Sequence, residues 1–140
     1  VSETTPVRFN SEARFVVLRH ETPPDSARPT HWDFMLETPQ GLRTWALAAQ
    51  PDGGAWIAAE SLADHRAEYL TFEGPLSGGR GTVEQWDAGS FRWQQGEVAE
   101  GDEAEIVVQL SGSRLRGRAV LAREPRSDRH WRFFFAADPV

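Results

Sequence analysis

The sequence predicts an all-β fold, a compact closed or nearly closed barrel of about eight short strands with one short helical turn. Three observations carry this. Breakers recur along the whole chain, at Pro23-Pro24, Pro39-Gln40-Gly41, Pro51-Asp52-Gly53-Gly54, Gly74-Pro75, Gly78-Gly79, Gly89, Gly96, Gly101, Gly112 and Gly117. The segments between them are short, and many alternate or are rich in β-branched and aromatic residues. Six tryptophans and eight phenylalanines in 140 residues suit a barrel interior filled with large flat side chains.

Taken in order, residues 1–13 read as a flexible N-terminal arm and 14–140 as one domain. The strands are expected at Arg14–Leu18, His31–Glu37, Leu42–Leu47, Gly81–Trp86, Ser90–Trp93, Ala104–Leu110, Leu115–Leu121 and Trp131–Phe135. Ala59–Tyr69 is the one stretch that reads as helical. Trp86-Asp87-Ala88-Gly89 reads as a strand end running into a turn, with Trp86 in the core. Glu100-Gly101-Asp102-Glu103 is an acidic loop. There is no internal repeat.

Composition narrows the function classes. Hydrophobic residues make up 39% and charged residues 26% of the chain, the profile of a soluble globular domain. The absence of cysteine excludes disulfides, thiolate metal ligands and a cysteine nucleophile. No apolar run approaches the roughly 18 residues that cross a bilayer, and the opening VSETTPVRFN has no apolar signal core. A cytoplasmic monomer with no membrane association is expected. A net charge of −6 argues against extended wrapping of nucleic acid, which rests on clustered positive charge. Local recognition of one phosphate or one strand end is compatible with it.

The chemistry-bearing residues are few. In a strand His31–Glu37, His31 and Asp33 are two apart and share a face, while Trp32 and Phe34 point the other way. Imidazole with carboxylate suits Mn, Fe, Co or Zn better than Ca or Mg, and His20, closing the preceding strand, is the nearest third ligand. A His-x-Asp pair also arises by chance in strands. His65 and Tyr69 are four apart, so one helical turn stacks them, offering a general acid and a hydrogen-bond donor to an oxyanion. A surface turn capped by Asp64, with Tyr69 packed on the barrel, accounts for the same pattern. His130 reads as a solvated loop residue before the last strand. Gly78-Gly79-Arg80-Gly81-Thr82 presents backbone N–H groups to a phosphate or simply forms a hairpin turn. Most arginines form a solvated face, but Arg19, Arg43, Arg66 and Arg80 lie near these motifs and are candidate anion contacts.

In order, Arg14-Phe15-Val16-Val17, His20, His31-x-Asp33-Phe34-x-Leu36-Glu37, Trp45-Ala46, Asp64-His65, Tyr69, Phe72-Glu73-Gly74, Gly81-Thr82-Val83, Trp86-Asp87-x-Gly89 and Leu115-x-Gly117 resemble a known family. It is the 3′-phosphoesterase module of bacterial ligase D, the multifunctional DNA ligase of non-homologous end joining. The likeness runs from about Arg14 to Phe135 and implies a β-barrel fold. It implies that His20, His31 and Asp33 bind a divalent ion, Mn first, with Zn or Co as alternatives. It also implies that His65 and Tyr69 contact the scissile phosphate, and that a 3′-terminal phosphate or ribonucleotide is released from a nucleic acid end in DNA repair. Other end-joining proteins are the implied partners. Two positions depart from the family pattern: Met35 stands where an arginine is expected, and Ile57 falls, on an ungapped count, at a second. The interval between His20 and His31 is also longer and carries Pro23-Pro24 and Pro29. His31-Trp32-Asp33-x-Met35-Leu36-Glu37 and Ser77-Gly78-Gly79-Arg80-Gly81-Thr82-Val83 look more like short stand-alone relatives of the module.

Three functions follow. The first is a metal-dependent phosphoesterase acting on a nucleic acid 3′ end or a small phosphoester. The second is a phosphate- or end-binding module whose turnover is weak or lost with the two arginines. The third is another metalloenzyme built on two histidines and an aspartate, since that ligand set also forms the facial triad of non-haem Fe(II) oxygenases.

Overall fold

A computed structural model describes residues 13–95 and 105–139. The acidic loop Glu100–Glu103, and all of the expected N-terminal arm except Ala13, lie outside the described residues. The strands are β1 (Ala13–Glu21), β2 (His31–Thr38), β3 (Gly41–Leu47), β4 (Ile57–His65), β5 (Gly74–Pro75), β6 (Thr82–Gln95), β7 (Glu105–Gly112), β8 (Arg116–Arg123) and β9 (His130–Ala137). Eight of them run β1-β2-β3-β4-β9-β8-β7-β6, and β6 pairs back onto β1, so the sheet closes and leaves no long free edge. Every pairing is antiparallel. The two-residue β5 is an adjunct on β6.

Phe15, Val17, Phe34, Trp45, Leu121 and Phe133 fill the interior in one buried cluster. A second buried cluster lies on the outer face of β1, β2, β3 and β6: Val16, Leu18, Met35, Leu42 and Val83, joined by Leu70. That wall is covered on both sides, so Phe15–Leu18 and Asp33–Leu36 are buried without alternation. A strand buried on both faces reads as a continuous apolar run.

Three expectations need correction. Ala59–Tyr69 is not a helical unit: Ile57–His65 is strand, and only Ala67–Leu70 forms a 3-10 turn. The alanine-rich sequence yields to pairing with β3 on one side and β9 on the other, without which the barrel would not close. The two strands expected at Gly81–Trp86 and Ser90–Trp93 are one 14-residue strand. Gly89 is no turn residue; a Cβ there would run into the Ser111 carbonyl, so it permits close approach of β7. His130 opens β9 rather than preceding it.

Two bulges aim side chains. Trp86 is the extra residue where β6 passes Val17 and Leu18, and it turns Asp87 inward to accept hydrogen bonds from the backbone N–H groups of Ser113 and Leu115, at 2.9 and 2.8 Å. In β4 three steps from Leu62 to His65 face two steps from Thr44 to Leu42. Strict alternation would put His65 on the inner side with Ala59; the added residue turns it outward with Leu62.

Candidate metal centre

The β1–β2 register brings the site together. His20 lies directly opposite His31 and Leu18 opposite Asp33, so His20 is the diagonal neighbour of Asp33 on the same outer face. Side-chain atoms of His20, His31 and Asp33 all lie within 4.8 Å of one another, and the two imidazole rings are 4.7 Å apart. His31 and Asp33 are buried, at 5% and 3% exposure.

Two backbone carbonyls fix the tautomers. His20 Nε2 donates to the Arg80 carbonyl at 2.8 Å, and His31 Nδ1 donates to the Pro29 carbonyl at 2.9 Å. In the neutral rings the other nitrogens carry lone pairs, and both face the same carboxylate. His20 Nδ1 is 3.4 Å from Asp33 Oδ2, and His31 Nε2 is 3.1 Å from Asp33 Oδ1. Asp33 Oδ1 is buried with no hydrogen-bond donor. Lone pairs facing a carboxylate repel unless a cation lies between them, and a divalent ion with bonds of about 2.1 Å fits such separations. A proton is the weaker substitute. Hydrogen bonding to Asp33 is the main influence raising the His20 pKa, against burial. Burial is the largest single influence on Asp33 and pushes its pKa up, but its contacts with His20 and His31 outweigh it and hold the carboxyl below its ordinary value.

The glycine turn holds one of those carbonyls. Leu76 N–H donates to the Gly81 carbonyl at 2.8 Å across a 3-10 turn at Ser77–Gly79. Gly81 adopts φ +100°, and a Cβ there would meet the Glu21 carbonyl, so only glycine lets the loop cross β1 and present Arg80 to His20.

A cleft of about 320 Å³ opens over the triad, and Leu62, His65, Arg28 and Arg80 form part of its wall. His65 Nδ1 donates to the Ala63 carbonyl at 3.0 Å, which leaves Nε2 to exchange a proton. Tyr69 does not line this cleft. Its ring meets the His65 ring edge-on at 5.6 Å and packs against Phe72 and the outer cluster. The 3-10 turn has no side-chain cap, so the Asp64-capped turn is not formed.

The four arginines singled out as anion contacts separate, and Arg19 pairs with Glu21 at 3.5 Å. Arg80 lines the cleft, its guanidinium steadied by the Ser77 carbonyl at 2.8 Å and Ser77 Oγ at 3.2 Å. Arg43 lies over Trp45 and Trp131, 4.7 and 5.6 Å from their centroids, on the interior side of the sheet. Burial there lowers its pKa, opposed by Asp64. Arg66 is exposed and pairs with Glu68 at 3.2 Å. Sequence reasoning missed Arg28, which lines the cleft from the proline-rich loop and pairs with Glu60 at 3.2 Å. Its one signal is the extra length between His20 and His31. Met35 is buried in the outer apolar cluster, and Ile57 packs against the interior one.

The profile of the DNA ligase D 3′-phosphoesterase domain matches residues 24–123. The multifunctional non-homologous end joining DNA repair protein LigD of Mycobacterium tuberculosis (strain H37Rv) is 34% identical over 117 residues, covering 78% of this chain and 14% of that protein. The Mycobacterium bovis protein of that kind matches to the same extent. The multifunctional non-homologous end joining protein LigD of Pseudomonas aeruginosa is 31% identical over 116 residues, covering 79% of this chain and 13% of its own. The chain therefore corresponds to about a seventh of the length of these relatives.

Proposed function

This chain belongs to the DNA ligase D 3′-phosphoesterase domain family, and from that premise we propose that it is a divalent-metal-dependent phosphoesterase acting on the 3′ end of a nucleic acid. The observation that carries the reading is the pair of oriented histidines facing a carboxylate whose Oδ1 is buried without a donor. His20, His31 and Asp33 would hold the ion, Mn in the first place and Zn or Co next. When bound, such an ion supplies Lewis-acid polarisation of the phosphoryl group.

The remaining work falls to the chain's own side chains. Arg80 and Arg28, both lining the cleft, hold phosphate oxygens. His65, protonated at Nε2 and steadied at Nδ1 by the Ala63 carbonyl, hydrogen-bonds the phosphate and gives its proton to the leaving oxygen as a water molecule attacks the phosphorus and the old P–O bond breaks. Tyr69 acts through His65, the T-shaped contact of the two rings at 5.6 Å steadying the imidazole plane. Residues 14–140 act as one domain, a cytoplasmic monomer working beside end-joining proteins. No helix among the described residues is long and apolar enough to cross a membrane.

The test is incubation with Mn²⁺ and a 3′-phosphate-terminated primer–template, following phosphate release against His31→Ala. Release by the wild type alone is expected; no release with Mn²⁺, Co²⁺ or Zn²⁺ overturns the reading. Met35 and Ile57, both packed in apolar clusters, favour a second reading in which the cleft binds a phosphorylated end without efficient turnover. Tight binding of the phosphorylated end with no release is its signature.

A further inference from the structure

Beside the metal cleft lies a second depression of about 250 Å³, reached through Arg28 and His31, which border both. Its floor is made of methyl groups. Ala46 on β3 and Ala58 on β4 face outward, and Ala48 donates its N–H to the Ala58 carbonyl at 2.9 Å. Short side chains on neighbouring strands leave a shelf on which a planar group can lie against the sheet. The Arg28–Glu60 ion pair stands at the boundary between the two depressions.

The outward residues of β4 run in one line: His65 and Leu62 in the cleft, Glu60 and Ala58 on the shelf, and Trp56 just beyond the strand. Trp56 is the one exposed large hydrophobic residue among the described residues, at 47% exposure. It is supported rather than loose. Its ring lies 5.2 Å from that of Phe134, and the Arg132 guanidinium sits over it at 4.5 Å. Arg132, whose Nε pairs with Glu124 at 3.4 Å, is in turn opposite Ala58 in the β4–β9 register, which places this guanidinium–indole stack at the open end of the shelf. An exposed indole capped by a guanidinium is a surface on which an unstacked base can lie.

We infer that the outer face of β4, from the cleft to Trp56, is a binding track for the unpaired nucleotides that precede the 3′ end on the same strand. Each second residue of a strand advances about 6.8 Å, so Leu62 to Trp56 spans roughly 20 Å, the length of about three extended nucleotides. The terminal phosphate sits at the metal cleft, the next sugar and base lie over Ala46 and Ala58, and a base further upstream stacks at Trp56. The polarity follows from continuity with the cleft. The proposal rests on the 3′-end reading above, but binding tests it without turnover.

The experiment measures fluorescence anisotropy of 5′-labelled single-stranded hexanucleotide and dinucleotide, both ending in a 3′-hydroxyl, with Mn²⁺ present. The wild type binds the hexanucleotide more than tenfold more tightly than the dinucleotide. Trp56→Ala removes about tenfold of that gain and leaves the dinucleotide within twofold, while Trp56→Phe restores most of it. Ala58→Glu, which puts a carboxylate on the shelf that both lengths occupy, weakens the hexanucleotide and the dinucleotide alike. Equal binding of the two lengths by the wild type, or an equal loss for both lengths in Trp56→Ala, overturns the track. Length-dependent binding through Trp56 in a protein that releases no phosphate supports the track and removes the phosphoesterase reading.

Discussion

Replacing Asp33 with asparagine separates two contributions of that residue that most substitutions merge. The carboxylate faces His31 Nε2 at 3.1 Å and His20 Nδ1 at 3.4 Å, and both histidines already donate from their other nitrogen. Asparagine keeps the size, removes the charge and offers an N–H to one of those lone pairs. An unsatisfied buried acceptor costs about 1–3 kcal/mol, and the amide relieves it. Unfolding entropy of about 2.1 cal/mol/K per residue over 140 residues gives roughly 0.3 kcal/mol/K, so the metal-free variant should melt about 3–10 °C above the metal-free wild type at pH 8. The same change deletes a ligand. Mn²⁺ at a hundred times its dissociation constant stabilises the wild type by about 2.7 kcal/mol, some 9 °C on the same slope, and asparagine abolishes that shift.

The pH dependence has a definite sign. His20 is raised, so its ion pair with Asp33 stabilises the metal-free wild type fully below the ordinary imidazole pKa and is lost as pH rises through the raised one. The Asp33 carboxyl is lowered, so its contribution is present above the ordinary carboxylate pKa and is lost as pH falls through its own. The advantage of asparagine therefore shrinks from pH 8 to pH 6. Differential scanning fluorimetry with EDTA or Mn²⁺ at both pH values reads all four states. A Mn²⁺ shift retained in Asp33→Asn, or a metal-free variant melting several degrees below the wild type at pH 8, would refute the reasoning.

His65→Ala should lower kcat by about 10²–10⁴-fold while Mn²⁺ affinity by calorimetry stays within twofold, because His65 lines the cleft without joining the ligand cluster. Gly81→Ala should weaken Mn²⁺ about tenfold, since the displaced loop withdraws the Arg80 carbonyl from His20 Nε2; unchanged affinity would contradict that role. Asp87→Ala leaves the N–H groups of Ser113 and Leu115 without their carboxylate and should cost about 3 kcal/mol in urea unfolding, with Mn²⁺ affinity intact.

Much of this architecture is legible in the sequence, and the misreadings share a cause. Turn residues mark the strand ends because they act locally, and the two-residue spacing of His31 and Asp33 puts both on one face however the strand is paired. Register is not local: that His20 stands opposite His31 is visible only once β1 and β2 are paired. Alternation also says which residues share a face but not which face is inside. Arg43 is near the motifs in sequence, yet it shares the interior side with Trp45, while Met35 shares the outer side with Asp33. Arg28 sits in a proline-rich loop without periodicity, and Asp87 is turned inward by a bulge at Trp86. Ala59–Tyr69 reads as helix because its alanines favour helix when isolated, whereas closing the barrel demands a strand.

The extra residue between Leu62 and His65 behaves as a phase shift in how β4 is read. Up to Leu62 the strand obeys the packing of the barrel; beyond it, His65 is released from that constraint and assigned to the cleft. Deleting Ala63 would leave two steps from Leu62 to His65 facing two from Thr44 to Leu42, so the strand would lose its bulge while the imidazole kept its outward side. A lineage could thus drop that codon and keep its imidazole on the cleft side, and a sequence comparison that demands a fixed spacing before the histidine would score such a chain as broken.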